Sequence, residues 1–210
     1  MLANPPVPRA SFRFRPKYVV FSFIAVMTTY VLVHNERFLI DPTHPNWTFW
    51  APFKWWLLPH ALAGTTTILM APFQFSDRLR KQYPKAHRVM GRIYVAGVLT
   101  LAPLGAYTQW LEEVRGVATR EFTVLAVVDM ILLIVPTLIA LRYAMQRKIT
   151  LHRQWMTRSF AVALVFFEGR FILGVTGLES NPANAEPVIW SCLVFAVLAG
   201  DIANQWQDVR

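Results

Sequence analysis

Seven ionisable residues could do chemistry inside or against an apolar environment: His60, His87, His152, Asp129, Glu168, Arg170 and Asp201. Such groups are expensive within a bilayer and carry function by default. His87 and His152 are each followed by arginine, as His87-Arg88 and His152-Arg153. Two neutral imidazoles facing one another across a bundle are the usual axial pair for a low-spin haem b, and adjacent guanidiniums suit its propionates. The same residues also suit lipid headgroups or helix ends, so both readings stand. His60, Gly64, Thr67, Ala71 and Gln74 recur at steps of four, three, four and three, which puts them on one helical face. That small and polar stripe belongs against a cofactor or against another helix. Gly91 and Gly105 share a face with His87 and Tyr94, where a flat group or a second helix can approach the backbone. Asp129 and Glu168 are candidate partners for Arg170, either as a structural ion cluster with His60 nearby or as a proton-relay or quinone site. No residue stands out as catalytic.

The elements that must position these groups follow from composition. The chain has 210 residues, of which 55% are hydrophobic and 16% charged, against about 25% charged in a soluble domain. It is long enough for one sizeable domain. Six apolar stretches approach the roughly 20 residues that a membrane helix needs. They run over about 17–34, 55–75, 89–110, 122–143, 156–175 and 187–206. The expected fold is all-α: a polytopic membrane bundle of six transmembrane helices, residues 17–210, preceded by a basic segment, residues 1–16. That segment holds Arg9, Arg13 and Arg15 and has no cleavage-site pattern, so the first helix is expected to be retained. Within the fifth stretch His152 and Arg170 are eighteen residues apart, five whole turns of a straight helix.

Fifteen Lys and Arg fall on one side of these stretches and four on the other. By the positive-inside rule, both termini lie in the cytoplasm. The eight tryptophans fall at or beyond the ends of the stretches, where indole prefers the headgroup region. The net charge of +9 is thus a topological signal that also holds anionic lipid, and no nucleic-acid partner is expected. One cysteine, Cys192, excludes an internal disulfide and any cysteine-built metal site. No phosphate-binding loop, zinc helix, covalent haem motif or nucleophile elbow is present.

The blocks Leu58-Pro-His60, Gly64, Ala71-Pro-Phe-Gln74-Phe, Arg78, His87-Arg88-x-x-Gly91-Arg92-x-Tyr94 and His152-Arg153-Gln154-Trp155-Met156-x-Arg158-Ser159-Phe160 with Arg170 resemble a large family of predicted bacterial membrane proteins of unknown function. The resemblance implies a multi-pass protein of the bacterial inner membrane and no activity. A looser similarity is to six-helix, two-haem b-type cytochromes, whose third and fifth helices ligate one haem. It implies that His87 and His152 are axial ligands, with Arg88, Arg153, Gln74 and Gly91 around that cofactor and His60 at the second-helix position on the outer side. Asp129 stands in the fourth span, which has no histidine, so the second haem site of those cytochromes is incomplete here. Three functions are therefore carried forward: a haem b electron-transfer protein exchanging electrons with quinone, a non-catalytic accessory subunit of a larger membrane complex, and, third, a small transporter or metal-binding protein using His60 and the outer acidic residues.

Overall fold

The computed structural model describes residues 16–41 and 43–208, and it is helical throughout these. The basic residues Arg9, Arg13 and Arg15, and Arg210 at the tail, lie outside the described residues. Among the described residues nine α-helices follow in order: α1 (Pro16–His34), α2 (Trp47–Trp50), α3 (Lys54–Gln74), α4 (Asp77–Gln82), α5 (Pro84–Val114), α6 (Arg120–Met145), α7 (Ile149–Ala163), α8 (Val165–Thr176) and α9 (Ala185–Asp208). Four helical stretches are long and apolar enough to cross a membrane: Pro84–Val114, Arg120–Met145, Ile149–Thr176 and Pro182–Trp206. Tyr18–His34 is a shorter apolar helix. Helix α3 spans 21 residues, but its hydropathy is diluted by His60, two prolines and three consecutive threonines.

Local signals set the boundaries. Ser76 and Thr119 accept the backbone N–H three residues on, from Leu79 and Phe122, and so start α4 and α6. Gly177 ends α8 at φ 72°, a left-handed conformation that costs glycine nothing. The fifth apolar stretch is not one straight helix. It breaks at Leu164, whose N–H bonds Ala161 three residues back instead of four. A tight turn of this kind overwinds the helix. Arg170 on α8 is therefore not in the register with His152 that five uninterrupted turns would give.

The helices pack as a chain of neighbours. Helix α3 lies along α5, α5 along α6, α6 along α7, and α7 and α8 together along α9, with α1 set against α8. The common core holds Ile68, Ala71, Tyr94, Val98, Leu125, Leu133, Phe160, Val165, Leu193 and Ala196. Ile24, Met27 and Val31 form the buried face of α1, where Tyr30 and Phe23 meet Phe171 edge-on. At the other end of α1 an aromatic cluster of Phe38, Trp47, Trp50 and Phe53 folds the connection to α3 into a cap. Asp41 starts that cap by accepting both the N–H and the hydroxyl of Thr43.

Candidate functional site

The polar stripe of α3 meets α5 as a ladder. His60 lies against Gly105, Thr67 against Gly97 and Gln74 against Gly91. A Cβ at Gly105 would come within 2.9 Å of the His60 ring, and one at Gly91 within 3.2 Å of Gln74 Oε1. At Gly97 it would collide with Thr67 Oγ1 and lie 3.3 Å from the Ala63 carbonyl. Each rung also has a hydrogen bond: His60 Nδ1–H donates to Leu101 O at 2.7 Å, Thr67 to Ala63 O at 2.7 Å, and Gln74 Nε2–H to His87 O at 3.2 Å. The glycines thus admit side chains of α3, and the room above Gly91 belongs to Gln74. Of the two readings of the stripe, this geometry is that of a helix–helix seam.

His87 and His152 occupy equivalent places, each the fourth residue of its helix, α5 and α7. His152 Nδ1 lies 2.9 Å from Ala140 O, and a carbonyl can only accept, so Nδ1 carries the proton. Nε2 therefore keeps its lone pair, the tautomer that metal-ligating histidines adopt when a carbonyl holds the other nitrogen. His87 Nδ1 is buried with no hydrogen-bond partner among the described residues. Arg88 and Arg153 are exposed at this end, where Arg153 and Arg80 both approach Asp77, at 3.8 and 2.8 Å.

Between the ends, Tyr94, Ser159 and Thr137 link α5, α7 and α6 through buried hydroxyls at 2.9 and 2.7 Å. Thr137 donates to Leu133 O, so Ser159 must donate to Thr137 and Tyr94 to Ser159. Sequence reasoning placed Tyr94 and Ser159 in family blocks but missed this chain; the signal available was a serine and a threonine on otherwise apolar helix faces.

At the other end Arg170 makes its ion pair with Glu36, at 3.4 Å, in place of the expected Asp129 or Glu168. The reason is reach: the turn at Leu164 and the cap after α1 bring α8 beside the end of α1. Asp129 is buried on α6, and its Oδ1 has no partner among the described residues. Asp201 pairs with Arg158 at 2.6 Å and ties α9 to α7. Among the described residues no group of three or more His, Cys, Asp or Glu is placed to hold a metal ion.

Over residues 57–203, from the ladder through both histidine helices into α9, the chain matches the family model described as "Predicted membrane protein (DUF2306)". The chain belongs to that family. The match covers the ladder, the histidine pair, the hydroxyl chain and Arg170, and it leaves α1 and the aromatic cap outside. No curated protein and no solved structure matches the chain. It is an integral membrane protein with several membrane-crossing helices.

Proposed function

We propose that this chain is a six-span protein of the bacterial inner membrane, with both termini cytoplasmic, that binds one haem b through His87 and His152 and serves in electron transfer. The observation that carries the reading is the histidine pair itself. One imidazole is held by Ala140 O in the ligating tautomer, and the other, at the equivalent place on its own helix, has a buried nitrogen with no partner among the described residues. The donor set fits two axial positions, and the exposed Arg88 and Arg153 suit the propionates. Gln74 and Gly91 contribute by holding α3 against the start of α5, and His60 is engaged in the ladder. Haem held in this way supplies one-electron transfer. The protein's own part is to fix the imidazole tautomer and to keep the pair within the bundle.

Oxidised and reduced absorption spectra of the protein purified from haem-replete membranes test this. A Soret band with sharp reduced bands is expected, lost in His87→Ala and in His152→Ala and retained in His60→Ala. No Soret band after haem supplementation, or one that survives either inner-face substitution, refutes it. Reporter fusions after Arg80 and Lys148 should read cytoplasmic, and those after Arg115 and Asn184 the opposite side. A second reading, the accessory subunit, is favoured by a shallow groove of about 440 Å³ on α9, lined by Trp190, Ser191, Val194, Phe195 and Leu198. Co-purification of a stoichiometric partner that Phe195→Ala releases supports it, and a monodisperse monomer counts against it.

A further inference from the structure

A second polar site lies at the far end of the bundle from the histidine pair. A partly open cavity of about 190 Å³ is lined by Asn35 and Glu36 from the end of α1, Phe38, Asn46 and Trp50 from the aromatic cap, Leu57 of α3 and Arg170 of α8. At roughly 30 Å³ per water it has room for about six waters. We propose that this cavity binds a small zwitterionic solute of the α-amino-acid type, its carboxylate on Arg170 and its ammonium on Glu36 and Asn35.

Three features carry the assignment. First, the Arg170–Glu36 contact is a single one at 3.4 Å, whereas a good charge-assisted bond is about 2.7–2.9 Å. Both ions line the cavity, and both keep hydrogen-bonding capacity that the pair does not use. Second, Asn35 lines the same cavity beside Glu36, so an uncharged amide adjoins the carboxylate on that wall. Third, the pair is already neutral and Glu36 is only 13% exposed. Adding a net cation or anion to a partly dehydrated neutral pair is costly. A ligand with both charges inserts between the two ions and leaves the net charge of the site unchanged. Trp50, Phe38 and Leu57 give an apolar wall for a small side group, and the volume suits a solute of the size of glycine, alanine or serine.

The test is binding of glycine, L-alanine and L-serine to the purified full chain in detergent, by calorimetry and by ligand-dependent thermal stability. Acetate and methylammonium, separately and at matched ionic strength, are the controls. Saturable binding of at least one amino acid is expected, with neither half-ligand binding comparably. Arg170→Gln, Glu36→Gln and the neutral double variant should each weaken it by more than about tenfold. The double variant leaves no orphaned charge, so it keeps the test decisive if a single variant fails to fold. Three outcomes overturn the proposal: no saturable binding of any of the three, binding undiminished in the folded double variant, or acetate or methylammonium alone binding as tightly. None of these bears on the haem spectrum, which reports the other end of the molecule.

Discussion

Placing a methyl group at Gly97 separates a helix seam from an open groove. The Cβ of Gly97→Ala would collide with Thr67 Oγ1 and press on the Ala63 carbonyl at 3.3 Å. Thr67 cannot rotate away freely, because it is fully buried and its hydroxyl bonds Ala63 O at 2.7 Å. Overpacking of this kind costs about 1–3 kcal/mol. Replacing glycine by alanine inside a helix also returns about 1 kcal/mol of propensity. Gly64→Ala gives the control, because it receives the same propensity and meets nothing within 4 Å. The difference between the two variants therefore isolates the packing cost, about 1–3 kcal/mol, or roughly 5- to 150-fold in the unfolding equilibrium. Reversible unfolding in mixed micelles, followed by the fluorescence of the eight tryptophans, measures it. Adding Thr67→Ala to Gly97→Ala should recover most of the loss. Equal stability of Gly97→Ala and Gly64→Ala, or no rescue by Thr67→Ala, refutes the seam.

Further outcomes follow from single contacts. Ser159→Ala strands the buried Tyr94 hydroxyl and should cost about 1–3 kcal/mol, more than Tyr94→Phe, which leaves Ser159 its bond to Thr137; the reverse order in the same unfolding assay would refute the donor direction. Asp201→Asn weakens a pair whose members are 33% and 49% exposed, so the loss should not exceed about 1 kcal/mol; a loss several times larger would show that lipid shields the pair. The Thr43 hydrogen bonds hold the Asp41 carboxyl below the usual aspartate range. A depressed carboxylate stabilises the fold above its unfolded pKa and releases that contribution as pH falls through the folded value. Trp47 Nε1–H donates to Asp41 O, so its fluorescence should stay constant above the aspartate range and change only below it; a transition nearer neutral pH contradicts the assignment.

The helices were legible because hydropathy is additive along the chain: four of the six apolar stretches fall within single helices, the second runs one residue past α3, and the fifth is divided at Leu164. The structure extends most of them. Helix α5 starts at Pro84, since polar Lys85, His87 and Arg88 carry no hydropathy signal yet continue the helix after a proline at its first position. The break at Leu164 was not legible, because no proline or glycine marks it. The placement of His87 and His152 at helix starts was readable from the charge that surrounds them. The Glu36–Arg170 pair was not, because it joins residues 134 positions apart across the aromatic cap, and no periodicity reports on such a contact.

The seam also says where chemistry can occur. On α3 the rungs are seven residues apart, at 60, 67 and 74, and on α5 they meet 105, 97 and 91 in reverse order. Two antiparallel helices that stay in contact over this length leave no room between them for a flat cofactor, and each polar group on the stripe already has its partner. The hydroxyls of Tyr94, Ser159 and Thr137 do not open a proton route through the middle either. Their chain ends on the Leu133 carbonyl, which accepts a hydrogen bond but has no proton to pass on. Apart from Asp129 on α6, the candidate ligand groups lie where the ladder stops. Beyond Gly91 stand His87 and, from α7, His152; beyond Gly105 stand Arg170, Glu36 and Asn35. A closed middle with two polar ends suits the two proposed sites, one at each end of the seam, and substitutions at one end should leave ligand affinity at the other unchanged. Loss of haem absorbance in Glu36→Gln/Arg170→Gln, or of amino-acid binding in His87→Ala, would show that the seam transmits between them after all.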